Sequence, residues 1–208
     1  FIYLAAYEKE YFEIMIISNK AHIDILKIFI TKKKFPHNSG WSNGIFVKNG
    51  KEALSLGLQI LNLKNQKIAI PALICSSVTD TISELGHENV FIDINENIQI
   101  CSEKCLEMMK EKKIDGVLLV DYFGVNYEEN LVLAKKIKNL GGIVILDKCQ
   151  SFLINKDPQD ELKYADIIIY SLRKIFPIKD GGVLFISKNK NKMNQIKKKN
   201  IVFDLDFF

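Results

Sequence analysis

Residues 141–187 read GGIVILDKCQSFLINKDPQDELKYADIIIYSLRKIFPIKDGGVLFIS, and three apolar runs in this stretch decide the fold. Ile143–Leu146, Asp166–Tyr170 and Val183–Ile186 are runs of about five residues, the length of strands rather than helices. They are nearly continuous in apolar character, as strands of a parallel sheet covered on both faces must be. Each of the first two ends abruptly in polar residues: Asp147 closes one, and Ser171 closes the other with Lys174 three residues later.

The same rhythm continues outward from this stretch. Upstream, Lys67–Ile70, Val90–Ile94 and Gly116–Val120 read as strands. Lys51–Leu61, Ser76–Leu85, Ser102–Glu111 and Glu128–Leu140 read as the helices between them. Gly86 stands at the C′ position of the second helix, and Gly141 with Gly142 stops the fourth. Alternating strands and helices define an α/β architecture with a mostly parallel sheet flanked by helices. The first forty residues show no sustained period beyond a short helix at Ala21–Thr31. The expected organisation is therefore an N-terminal arm at 1–40, one α/β domain at 41–188 and a lysine-rich tail at 189–208, with no internal repeat.

Composition limits the function classes. A chain of 208 residues with 48% hydrophobic content can bury one substantial core, which excludes disordered and collagen-like classes. The net charge of +4 comes from 29 basic residues of which Arg173 is the single arginine. Lysines spread over the surface are a poor tool for reading bases, so no nucleic-acid partner is expected. Apolar stretches are broken by charges before they reach membrane-spanning length, and no secretion signal opens the chain. Four cysteines without a Cys-x-x-Cys pair argue against a disulfide framework or metal cluster, and a reducing cytoplasmic location follows as the expectation. Cys101 and Cys105, one turn apart with no histidine nearby, read as one apolar helix face.

In open parallel sheets, ligands bind at the carboxyl ends of the strands. Those ends here are Pro71–Ser76, Asp121–Gly124, Asp147–Ser151 and Ser171–Lys174. Familiar nucleotide fingerprints fail: no G-x-G-x-x-G occurs, and in GIFVKNGK the glycine spacing is one residue too long for a P-loop, with Glu52 where Ser or Thr should hold magnesium. What remains is Asn49-Gly50 before a helix, whose first N–H groups can hold a phosphate. A strand-end carboxylate, a strand-end lysine and a phosphate-sized helix N-terminus together match the needs of pyridoxal 5′-phosphate (PLP): an amine for its aldehyde, an acid for its pyridine nitrogen, and donors for its phosphate.

At NGKEALSLGLQIL, IAIPALICSSVTDTISELGHENVFIDI, GVLLVDYFG, GGIVILDKCQSF and ADIIIYSLRKIFPIKDGGVLFIS the chain resembles, in order, the DegT/DnrJ/EryC1/StrS sugar aminotransferases. These are fold-type-I PLP-dependent enzymes, and the match covers their large domain. The resemblance implies that Lys174 forms the Schiff base, Asp147 pairs with the pyridine nitrogen and Gln150 lies near the ring's phenolic oxygen. It also implies that Ser171 and the backbone of Gly50 and Lys51 bind the phosphate, and that Cys75 stands where relatives often place an aromatic residue against the ring. Cys149, with no histidine in its own matched segment GGIVILDKCQSF, is expected to be a packed thiol. Glutamate as amino donor, a nucleotide-linked keto sugar as acceptor and a homodimer are further implications. Family members carry a smaller C-terminal domain that is missing here, through fragmentation or loss. A catalytically degenerate PLP-fold protein with a structural or regulatory role is the alternative, and an unrelated anion-binding α/β domain is a third reading.

Overall fold

The computed structural model describes residues 43–151, 157–176 and 178–187. The arm at 1–40 with its helix at 21–31, and the tail at 189–208, lie outside the described residues. Seven strands form one sheet: β1 (Ile45–Val47), β2 (Lys67–Pro71), β3 (Glu88–Ile92), β4 (Gly116–Val120), β5 (Ile143–Asp147), β6 (Ile167–Ser171) and β7 (Gly182–Ile186). Five helices accompany them: α1 (Gly50–Leu61), α2 (Ser76–Glu84), α3 (Ser102–Lys110), α4 (Tyr127–Asn139) and the four-residue α5 (Pro158–Glu161). A short 3₁₀ turn, Leu172–Lys174, follows β6.

The strand order is β1-β7-β6-β5-β4-β2-β3. All pairings are parallel except those of β7, which runs antiparallel to both β6 and β1. From β2 the chain moves outward to β3, then returns to place β4 on the other side of β2. The order of connection therefore reverses between β2 and β4, the kind of point at which an α/β sheet opens a binding crevice.

Burial explains the strand composition. Ile68, Ile70, Leu118, Val120, Ile145, Ile167, Ile169, Leu184 and Ile186 face one core, which Ala53, Leu54 and Leu58 of α1 cover. Their alternating neighbours Ala69, Val117, Leu119, Val144, Leu146, Ile168, Val183 and Phe185 face a second core under Leu133, Ala134 and Ile137 of α4. Each fully buried Val, Leu or Ile contributes roughly 1.5–3 kcal/mol, so the doubly covered central strands anchor the molecule. Among the described residues no helix is long and apolar enough to cross a membrane.

Glycines end two helices as the sequence suggests. Gly141 (φ 82°) follows Leu140, and the N–H groups of Gly141 and Gly142 donate to Lys138 and Ile137 carbonyls. Gly86 (φ 78°) closes α2 in the same way, with Gly86 and His87 donating to Ser83 and Ile82.

The structure departs from the sequence reading at several element boundaries. The strand expected at Val90–Ile94 starts at Glu88 and ends at Ile92, because Glu88 and Asn89 extend the pairing with β2 while Ile94 only bridges to Ile100. The strand expected from Asp166 begins at Ile167, since Asp166 turns its carboxylate to Lys138, 2.8 Å away, and to the Val144 N–H. β1 and α5 are additional elements, each too short to show a period. Cys105 is fully buried, and Cys101, at the N-cap of α3, is partly buried against the same core, so the two share the apolar face read from their spacing.

Candidate active site

Asp147 is the last residue of β5 and is buried. Its Oδ1 accepts a hydrogen bond of 2.9 Å from the Cys149 N–H, while its carbonyl accepts from the Asp121 N–H of the neighbouring strand end. On the same side of the sheet, Cys149 packs against the start of α1: a Cβ added to Gly50 would stand 2.8 Å from its Sγ and 3.5 Å from the Ser171 Cβ. Gly50, Cys149 and Ser171 are thus one cluster.

Electrostatics tie the remaining residues to it. Burial pushes the Cys149 thiol well above its ordinary range, the Asp147 carboxylate pushes it further, and Lys174 pulls it down. Cys75 contributes to the same thiol. Cys149 is accordingly a packed, protonated thiol with Asp147, Lys174 and Cys75 around it. Lys174 itself is exposed on the 3₁₀ turn beyond β6, as is Arg173. A flexible amine at that place has solvent access to the crevice.

The N-terminus of α1 is built for an anion. Asn49 accepts from the Glu52 N–H at 3.0 Å, and the Glu52 carboxylate accepts from the Lys48 N–H at 3.0 Å, a reciprocal cap. The cap uses the third N–H of the helix; those of Gly50 and Lys51 make no hydrogen bond among the described residues. The Lys51 side chain points away, its Nζ 3.3 Å from Glu84. Gly182 brings the helix this close, since a Cβ there would collide with the Asn49 backbone. Ser171 is buried at the end of β6, beside this N-terminus.

Cys75 is exposed at the start of α2, its Sγ 2.9 Å from the Ser77 hydroxyl. Gln150 carries a buried amide oxygen with no hydrogen-bond partner among the described residues. The seven residues named from sequence thus share the carboxyl edge of the sheet.

Two groups escaped the sequence reading. Tyr122, after β4, is buried on the site side, and its hydroxyl donates to the Leu73 carbonyl in the loop leading to Cys75. Burial, with Asp147 and Cys75 nearby, pushes its pKa up to about 12. Its only sequence signal was its place in VDYFG at a strand end. The second group is a buried ion pair of Lys148 and Glu161 at 2.6 Å. Nothing in the sequence marks a lysine in a turn as buried.

Comparison with known proteins follows this geometry. The sequence model of the DegT/DnrJ/EryC1/StrS aminotransferase family matches residues 32–200. No curated protein sequence matches. Among solved structures, a DegT/DnrJ/EryC1/StrS aminotransferase from Brucella abortus superposes with a TM-score of 0.57 at 16% identity, over 84% of this chain and 47% of that one. NtdA from Bacillus subtilis, solved with bound cofactor PMP, gives 0.58 at 20% identity, over 80% and 36%. A 3-amino-5-hydroxybenzoic acid synthase gives 0.62 at 18% identity, over 74% and 40%. At these identities the structures establish the shared fold, and this chain spans about half or less of their length. Since the sequence match takes in every strand and helix described above, the chain belongs to the DegT/DnrJ/EryC1/StrS aminotransferase family.

Proposed function

We propose that this chain is the cofactor-binding part of a PLP-dependent sugar aminotransferase. The observation that carries this reading is the convergence at the carboxyl edge of the sheet: a lysine, a buried carboxylate and a capped helix N-terminus surround one packed thiol. The residues fit PLP. Two N–H groups uncommitted among the described residues and the adjacent Ser171 suit a phosphate, the Gln150 amide suits a polar ring substituent, and Asp147 suits a pyridine nitrogen. PLP supplies an electron sink, storing the electron pair left when a proton departs the carbon bearing the substrate's amine.

The chain's own residues do the rest. The backbone N–H groups of Gly50 and Lys51, with Ser171, would hold the phosphate. Asp147, oriented by the Cys149 N–H, would pair with the ring nitrogen. Lys174, on its exposed turn, would supply the amine that holds the cofactor and could serve as the group that moves a proton. Cys75 would stand on the side of the ring face. Cys149 closes the floor and excludes water. The finer reading takes a nucleotide-linked keto sugar as acceptor, glutamate as donor, and a homodimer working in the cytoplasm. It rests on family resemblance.

Adding PLP to the purified chain tests the reading by absorption: a near-visible band from lysine-bound cofactor is expected, whereas a simple anion site gives none. Asp147→Asn should still bind PLP but lose most transamination, on the order of 10²-fold or more, because an amide cannot hold the ring nitrogen protonated. Near-normal turnover in that variant would contradict the role given to Asp147.

A further inference from the structure

Between Asp147 and Cys149 stands a lysine that does not reach solvent. Lys148 is 1% exposed and leaves the turn on the face opposite the site, where it lines a small cavity with Leu119, Leu146, Asp121 and Tyr127. Its Nζ ends 2.6 Å from Glu161 Oε1, 4.8 Å from the Tyr127 ring centroid and 5.7 Å from that of Tyr170. Glu161 is equally buried at the end of α5. A second buried carboxylate, Asp121, lies on the same cavity.

Burying an ammonium and a carboxylate carries a desolvation penalty that two apolar side chains would avoid, so their presence calls for a reason other than stability. The local backbone supplies one. The Lys148 N–H donates to the Ile169 carbonyl at 2.9 Å, its carbonyl accepts from the Ser151 N–H at 3.2 Å, and the next N–H, that of Cys149, holds Asp147 Oδ1. The direction of the Asp147 carboxylate therefore depends on the peptide between Lys148 and Cys149. α5, four residues long, cannot hold itself by helix propagation, and the ion pair ties it to that turn.

We propose that Lys148 is a positioning residue for Asp147. Its buried pair with Glu161 fixes the Lys148–Cys149 peptide from beneath, and through that N–H the approach of the Asp147 carboxylate to the ring nitrogen. The proposal rests on the cofactor reading above. Apolar side chains in place of the pair can fill the same volume, but they set no end-to-end distance and leave the peptide freer to rotate.

The test uses the 208-residue chain with added PLP. It compares Lys148→Met, the pair swap Lys148→Met/Glu161→Leu, and the milder Glu161→Gln, which keeps an acceptor for Nζ. Lys148→Met should melt well below wild type because the buried Glu161 loses its counter-charge and keeps only the Tyr127 hydroxyl beside it, whereas the pair swap should recover most of the melting temperature. Despite that recovery, the pair swap should bind PLP about tenfold more weakly, the low end of what losing an outer supporting partner costs. The pH midpoint of its near-visible band should also move up, since a less firmly protonated ring nitrogen makes the lysine-bound nitrogen easier to protonate. Glu161→Gln should shift the midpoint in the same direction by less. In an Asp147→Asn background the swap should move the midpoint no further, the signature of action through Asp147. A pair swap with wild-type affinity and midpoint, or an equal shift in both backgrounds, would overturn the proposal. A wild-type chain that shows no band overturns the cofactor reading as well, and does so before any substitution is made.

Discussion

Two single residues give sharp tests of the packing. Gly50 has no room for a methyl group because the Cys149 thiol would lie 2.8 Å away. Gly50→Ala should cost about 1–3 kcal/mol by overpacking and weaken phosphate binding, and Cys149→Ala in the same chain should restore much of both. Urea denaturation and a PLP titration read the two effects; a Gly50→Ala chain with unchanged stability would remove the close approach. Asp121 bears on pH. Burial raises its pKa above 3.8, against the pull of Ser151, Lys148 and the Gly124 N–H. Below the unfolded value the group is protonated in both states and costs nothing. As pH rises towards the raised folded value, the unfolded chain releases its proton first, so folding loses stability. Asp121→Asn should therefore be more stable than wild type at neutral pH, with the advantage vanishing in acid, as thermal melts across pH would show. The sequence singled out Asp147, Ser171 and Lys174 because strand-end polar residues interrupt long apolar runs, and Gly50 because it follows Asn49 at the start of a helix. It could not identify Lys148, since a lysine's burial depends on a carboxylate thirteen residues away that only the fold brings to it.

At the scale of elements, β4, β5, β6 and β7 were legible because both faces are buried and their residues are apolar without interruption. β3 was displaced by two residues because it is an edge strand in which only Ile92 is buried, so apolar content alone does not locate it. β1, three residues long, and α5, four, are held by tertiary contacts and leave no period to read. The switch between β2 and β4 is closed by Tyr122, whose hydroxyl reaches the Leu73 carbonyl across 49 residues of sequence. Tyr122→Phe should cost about 1 kcal/mol, the net value of one hydrogen bond, and should loosen the loop that carries Cys75. Faster reaction of the exposed Cys75 thiol with a small disulfide reagent is the expected readout. An unchanged rate would mean that the loop is held by the Ala72 N–H bond to the Ile92 carbonyl instead.

At the scale of the whole molecule, the described residues contain every proposed cofactor contact, whereas the solved relatives are about twice as long or more. Binding and turnover should therefore separate: the 208-residue chain should load with PLP yet transaminate a nucleotide-linked keto sugar far more slowly than a version extended through any coding sequence downstream, because substrate contacts and closure are expected outside this sheet. Equal rates would show that the present chain suffices. The central claim, that Lys174 is the amine that holds PLP, is tested most directly by borohydride reduction of the PLP-loaded chain followed by peptide mapping. The account predicts one pyridoxyl-modified peptide, carrying the label on Lys174 and lost in Lys174→Ala; a label fixed on any other of the chain's lysines, or spread over many of them, would contradict it.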